Sequence, residues 1–462
     1  MEMSRKIRVI ETDMRAGKML QEREALEFRP DKPGTDGQEG HILNVYDQVQ
    51  YQEILGFGGA FTESSTLNYQ RVSEEQRQKV LELYFDKEKG IGYNFCRATI
   101  NSCDFSEDFY SYDDTPEDFA LKDFTIAHDR ESVLPMIRAA QDKAEDLLIF
   151  SSPWSPPAWM KTNGTMNQGG SLRKDCKEVW ARYTARYLQE YEKEGVKIWG
   201  VTVQNEAKAR QGWESCQYEA GEERDFVTGY LKPIYEQMGV GDRKVMFWDH
   251  NKERVVDRSL DTLCNQRARD AFDGVAVHWY SGDHFTALDV AHDLFPEKFF
   301  VASEQCTGHA KEVYGAGEHY AHDILGDLNH WAGAWVDWNM FLNEDGGPSH
   351  WLDEQRESGK DPAEIWVGAS PVMIDRTTGE LTVTSSYYYL GHFSKFIKRG
   401  ARRIGYSIFD TSLEAGAFLN PDGSIAVVVL NRWEEDRQVT LRYHGELADL
   451  TLKAHSIQTL LF

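Results

Sequence analysis

The 462 residues carry 51 Lys and Arg against 76 Asp and Glu, and the resulting net charge of −25 argues against a polyanion such as nucleic acid as partner. Six cysteines without C-x-x-C spacing suggest neither a zinc ribbon nor a disulfide framework, while 13 Trp hint at ring-stacking surfaces of the kind sugars need. Met1–Arg15 is polar and charged with no apolar signal core, and no apolar run could span a bilayer, so a cytoplasmic protein without membrane insertion is expected.

The length favours one large domain with an appended module. Lys6–Glu11 and His41–Tyr46 read as strands that precede the main body of the chain. Eight short apolar runs follow: Ile54–Ala60, Tyr93–Ile100, Leu147–Ser151, Ile198–Gln204, Lys244–Trp248, Gly274–Trp279, Phe299–Glu304 and Gly333–Asn339. They alternate with amphipathic segments, among them predicted helices over Ser73–Phe85, Lys177–Glu194 and Arg224–Met238. Near-continuous apolar runs are how buried parallel strands read, so the expected fold class is α/β, a (β/α)8 TIM barrel. A doubly wound open sheet lacks its usual support, because Gly56-Phe57-Gly58-Gly59 is not a G-x-G-x-x-G fingerprint; those glycines point to tight backbone packing on the first strand. After Ser386–Ile397, the last barrel helix, the pattern turns to short β runs. Pro421-Asp422-Gly423 between Ala417–Leu419 and Ile425–Leu430 is a hairpin signal, and the N-terminal strands could complete the same β module.

In barrel enzymes the reactive side chains lie at the C-terminal ends of strands. Two of the eight ends carry a glutamate, in Val201-Thr202-Val203-Gln204-Asn205-Glu206 and Val301-Ala302-Ser303-Glu304, and strands four and seven face each other across the mouth. Hydrolysis of a glycosidic bond needs one carboxyl to protonate the leaving oxygen and another to capture the oxocarbenium-like centre. Glu206 is the expected acid/base and Glu304 the expected nucleophile, with Glu206 holding a proton near neutral pH because each anion raises the other's proton affinity. One such glutamate is more often a solvated loop residue; the facing pair changes that reading.

Neighbouring side chains fit a sugar. Asn205 is placed to bond a 2-hydroxyl, and Asp104 could hold two adjacent hydroxyls or else cap a helix. Trp154, Trp159 and Trp338 offer rings for stacking, and Tyr280 could donate its hydroxyl to Glu304. Arg97 could pair with Glu304, and Trp279 reads as core. His278 and His309 read as lone structural histidines, Cys306 as a buried thiol, and no His cluster has metal-ligand spacing, so neither metal nor cofactor is expected.

These residues resemble glycoside hydrolase family 30, and within it the acid β-glucosidases that cleave glucosylceramide. The resemblance runs through Gly56–Ala60, Cys103-Asp104-Phe105-Ser106, Ser152-Pro153-Trp154, Trp159–Gly164, Val277-His278-Trp279-Tyr280, Ala302-Ser303-Glu304, Asp337-Trp338-Asn339, Leu390–Ile397 and Pro421-Asp422-Gly423. It implies a retaining barrel with Glu206 as acid/base and Glu304 as nucleophile, sugar-binding roles for Asp104, Trp154, Asn205, Tyr280 and Trp338, and no cofactor; Arg97 and His278 are expected besides to support the site. It also implies a β-sandwich built from both chain ends, and hence N-terminal strands over 1–50, a barrel over 51–398 and a C-terminal sandwich over 399–462. Ala207 stands where the family usually has proline, and the loop Lys208–Gly221 differs from the lysosomal enzymes. The expected reaction is hydrolysis of terminal β-D-glucosides. An endo-β-1,6-glucanase and a β-xylosidase or β-fucosidase are enzyme alternatives, and a non-catalytic carbohydrate-binding barrel is the alternative of another class.

Overall fold

Eight parallel strands close into a barrel in a computed structural model that describes residues 6–32 and 41–462. In chain order they are β1 (Gly56–Phe61), β2 (Phe95–Ile100), β3 (Leu148–Pro153), β4 (Gly200–Thr202), β5 (Lys244–Asn251), β6 (Gly274–His278), β7 (Phe299–Gln305) and β8 (Ala332–Asn339). Each strand pairs with the next, and β8 returns to β1, so the eight apolar runs are the eight barrel strands. Phe95, Phe150, Met246, Val301 and Val336 are fully buried in one cluster that draws on β2, β3, β5, β7 and β8. Such layering makes a barrel interior a packed core rather than a pore. The glycines of β1 are there for space: a Cβ on Gly58 would lie 1.9 Å from the Phe95 carbonyl oxygen.

The outer helices bury one face each. Glu74–Phe85 begins at a capping box in which the Ser73 side chain accepts from Gln76 N–H and the Gln76 side chain accepts from Ser73 N–H. Lys177–Lys193 turns Trp180, Tyr183, Tyr187 and Tyr191 inward. The helix predicted from Arg224 starts earlier, at Ala220, and widens into a π turn over Val227–Leu231 before continuing as Lys232–Gln237. Pro233 has no amide hydrogen to donate, and just before it Lys232 N–H reaches back to Val227 O.

A second sheet packs beside the barrel. Its central strands run Lys6–Asp13, Ser456–Leu461, Ile425–Asn431, Leu413–Leu419, Arg402–Ile408, Ile42–Glu53, Arg437–Tyr443 and Glu446–Leu452, largely from the C-terminal segment. The predicted hairpin pairs Leu413–Leu419 with Ile425–Asn431. Strands before the barrel form part of this sheet: among them, Lys6–Asp13 pairs with Ser456–Leu461, and Ile42–Glu53 pairs with Arg402–Ile408. Residues 1–5 and 33–40, part of the N-terminal span read from the sequence, lie outside the described residues. His392, on the helix Ser385–Ser394, binds Thr12 and Thr459 of the sheet at 2.9 and 2.8 Å and joins the two units. No helix among the described residues is long and apolar enough to cross a membrane, and all six cysteines are free thiols.

Candidate active site

The strand ends at the top of the barrel converge on one cavity of about 380 Å³. Glu206 lies beyond the short β4, and its backbone is left-handed, with φ 48°. Its N–H donates to Asp249 O at 2.8 Å, and the N–H of Asn205 donates to Pro153 O at 2.9 Å, so the turn is anchored to β3 and to the end of β5. There the backbone is strained as well. Trp248 and Asp249 have φ of 75° and 47°, and the pairing of β5 with β6 slips between Trp248 and His250. Left-handed conformations are costly for residues with a Cβ and concentrate where geometry matters for function. Here the slip turns Asp249 fully inward and sets His250 beside Glu206.

Asp249 is the hub. Its carboxylate accepts from Arg97 Nη2 (2.7 Å), Thr202 Oγ1 (2.6 Å) and Ser303 Oγ (2.6 Å), and it binds His278 Nε2 at 3.0 Å. Burial alone would raise its proton affinity, but the guanidinium, the imidazole and the hydroxyl hold it well below the usual carboxylate range. Arg97, wholly buried, also donates to Glu304 Oε2 (2.6 Å), Asn205 Oδ1 (2.9 Å) and Ser152 Oγ (3.0 Å). The Tyr280 hydroxyl donates to Glu304 Oε1 at 2.9 Å from the exposed rim. Glu304 therefore rests against a fixed cation and a phenol, as the sequence suggested.

The two carboxyls are linked by one imidazole. His278 Nδ1 lies 3.7 Å from Glu206 Oε1 and 4.0 Å from Glu304 Oε1. Burial disfavours charge on His278, yet Glu304, Asp249 and Glu206 together push it up to about 9. This changes the expected distribution of protons. At Glu206 burial is outweighed by His278, His250 and Gln211 Nε2 (3.2 Å), which lower its proton affinity and favour the ionised form. Burial raises Glu304, with His278 and Arg97 opposing.

Asp104, Trp154, Asn205, Tyr280 and Trp338 all line the cavity with the two glutamates. Trp154 and Trp338 stack at 4.8 Å and 12°, and Arg97 lies 4.7 Å from the Trp154 ring centre. Asp104 caps no helix; its Oδ1 is buried without a protein partner, and burial followed by the negative Glu304, Glu214 and Glu206 lifts it well above the usual range. Other expectations are corrected. Trp159 turns away to bond Asp113 O and pack on Phe119, and His309 does not line the cavity. Cys306 does line it and lies 3.3 Å from the Tyr280 hydroxyl. Trp279 is core, as expected, stacked on His319 at 4.0 Å. Asp249, His250, Gln211, Trp213, Trp351 and Trp366 went unnoticed in the sequence. Asp249 and His250 directly follow the fifth apolar run, a signal that a search for strand-end glutamates alone passes over. Glu206, His250 and His278 are also the described residues that could jointly offer metal ligands, all within 4.8 Å of one another.

Residues 54–397 match the glycosyl hydrolase family 30 TIM-barrel domain, and residues 400–460 match the family 30 beta sandwich domain. The chain is 36% identical over 409 residues to putative glucosylceramidase 3 of Caenorhabditis elegans, covering 84% of this chain and 76% of that one. It is 33% identical over 423 residues to the lysosomal acid glucosylceramidase of Mus musculus, covering 87% and 79%. The crystal structure of SrfJ from Salmonella typhimurium superposes with a TM-score of 0.92 at 32% identity, covering 99% of both chains. With barrel, sandwich and facing carboxyls on one chain, the protein belongs to glycosyl hydrolase family 30 and is a glycosyl hydrolase.

Proposed function

We propose that the protein is a retaining β-glucosidase acting on terminal β-D-glucosides, with Glu304 as nucleophile and Glu206 as acid/base. The observation that carries this reading is the unequal dressing of the two carboxyls around one cavity. Glu304 is held by Arg97 and Tyr280, which favour an aimed carboxylate. Among the described residues Glu206 meets an amide and two imidazoles, which suit a group that must gain and lose a proton.

In the first step the Glu304 carboxylate bonds the anomeric carbon while the glycosidic C–O bond breaks, and the leaving oxygen takes a proton from Glu206. His278 Nδ1, 3.7 Å from Glu206 Oε1, lowers the proton affinity of that carboxyl, so Glu206 must take up a proton before it can protonate the leaving oxygen. In the second step Glu206 removes a proton from water, whose oxygen attacks the anomeric carbon and frees Glu304. Asp104, Asn205 and the stacked Trp154–Trp338 pair supply polar and apolar faces for the glucosyl ring. Trp213, Trp351 and Trp366 line the same cavity with Gln211, a contact of Glu206, and would meet the leaving group.

The test uses aryl β-D-glucosides and a 2-deoxy-2-fluoro glucoside. Expected results are turnover with the β-anomer formed first, a covalent label on the peptide containing Glu304, and loss of turnover in Glu304→Gln. Preference for xylosides, fucosides or a β-1,6-linked glucan would redirect the substrate assignment. Absence of both turnover and label on the whole panel would refute the catalytic reading in favour of a carbohydrate-binding barrel.

A further inference from the structure

We propose that Glu206, His250 and His278 form a site for a divalent transition-metal ion of the zinc type, and that an ion bound there silences the enzyme. His278 is fully buried, and its Nε2 lies 3.0 Å from Asp249 Oδ1. That bond fixes one ring hydrogen on Nε2 and leaves Nδ1, which has no hydrogen-bond partner, as the ligand atom, so an ion would displace any proton held there. His250 Nδ1 is likewise buried and unpartnered. Both nitrogens lie 3.7 Å from Glu206 Oε1, and the three ligand atoms fall within 4.8 Å of one another. These separations are too long for direct hydrogen bonds.

They suit an ion instead. Zinc holds nitrogen and oxygen ligands at about 2.0–2.2 Å, which places tetrahedral ligands roughly 3.3 Å apart, so small side-chain movements of the three residues would close the shell. Two imidazoles and one carboxylate are a common zinc set, with a fourth position left open to the cavity. The outer support is already built. A metal-binding histidine characteristically donates its second ring N–H to a carboxylate, and Asp249, fixed by Arg97, Thr202 and Ser303, provides it for His278.

Charge favours the same occupant. Asp249 and Glu304 pair with Arg97, and Glu206, Glu304 and Asp104 line the cavity, so carboxyl groups outnumber the guanidinium beside the three ligand residues. An ion on Glu206 Oε1 would occupy the carboxyl that must protonate the leaving group.

Zinc chloride titrated calorimetrically into the full-length chain without substrate tests this. The expected result is one equivalent bound at this site with a Kd on the order of 10 μM, weakened about tenfold or more in both His250→Gln and Glu206→Gln. Thermal melting would verify that each variant is folded, and either folded variant suffices for the comparison. Copper(II) in the wild-type chain should give an electron paramagnetic resonance spectrum split by two imidazole nitrogens. The proposal is overturned by no binding at millimolar zinc, by unchanged affinity in a folded variant, or by a copper spectrum without imidazole splitting. Because no substrate is present, failure of the β-glucosidase reading would leave this measurement intact.

Discussion

Replacing Arg97 with lysine keeps the charge and most of the volume but removes the planar fork. The guanidinium serves Glu304, Asp249, Asn205 and Ser152 at once, over 2.6 to 3.0 Å. An ammonium on a shorter reach can satisfy one carboxylate well, not both. A hydrogen bond to a charged group contributes roughly 1.5–3 kcal/mol, and the retained charge preserves much of the longer-range attraction. Losing one such bond and the amide contact therefore predicts about 2–4 kcal/mol of lost stability, read from urea unfolding. The same change frees Glu304 to move off line, and kcat/KM on an aryl β-glucoside should fall about 100-fold, since small misplacements cost that much. Arg97→Lys within about 0.5 kcal/mol and threefold of wild type would refute the hub role given to Arg97.

Other substitutions probe single contacts. Tyr280→Phe removes a donor to the charged form of Glu304, so the acidic limb of the kcat/KM profile should move to higher pH by about one unit. A rotation to lower pH, or none, would count against that bond. His392 is fully buried, and burial lowers it from 6.5 to about 3, so the unfolded chain binds the extra proton between those values. Stability from this residue is complete above about pH 6.5 and is lost as pH falls toward about 3, by up to roughly 4 kcal/mol. His392→Gln should flatten the slope of unfolding free energy between about pH 4 and 6, and an unchanged slope would exclude this cause. Gly58→Ala places a methyl on the Phe95 carbonyl and should cost more than about 3 kcal/mol or abolish folding, as measured by soluble yield and thermal melting.

Much of this protein was legible from local sequence. Each barrel strand is a short apolar run whose burial on both faces needs no knowledge of its partners, so Gly274–His278 or Ala332–Asn339 declares itself within a few residues. Glu206 and Glu304 were readable because strand ends in a parallel barrel share one mouth, and because the surrounding motifs resemble family 30. The helix at Arg224 was placed too late and too regular, since the response of a helix to Pro233 depends on what the preceding turn can pack against.

The cavity's electrostatics were decided only in three dimensions. Asp249 and His250 follow an apolar run, but nothing local signals that two left-handed residues at 248 and 249 would aim one inward and set the other beside Glu206. The upward push on His278 comes from Glu304, Asp249 and Glu206 outweighing burial, and these residues lie far apart in the chain. Trp159, read as a sugar platform, was claimed by Asp113 and Phe119 instead. Sequence by itself determined the barrel and its two facing glutamates, because periodicity and strand ends are local properties. Tertiary structure decided which charged groups face one another across the cavity, because charge and hydrogen bonding act through space between residues brought together only by folding.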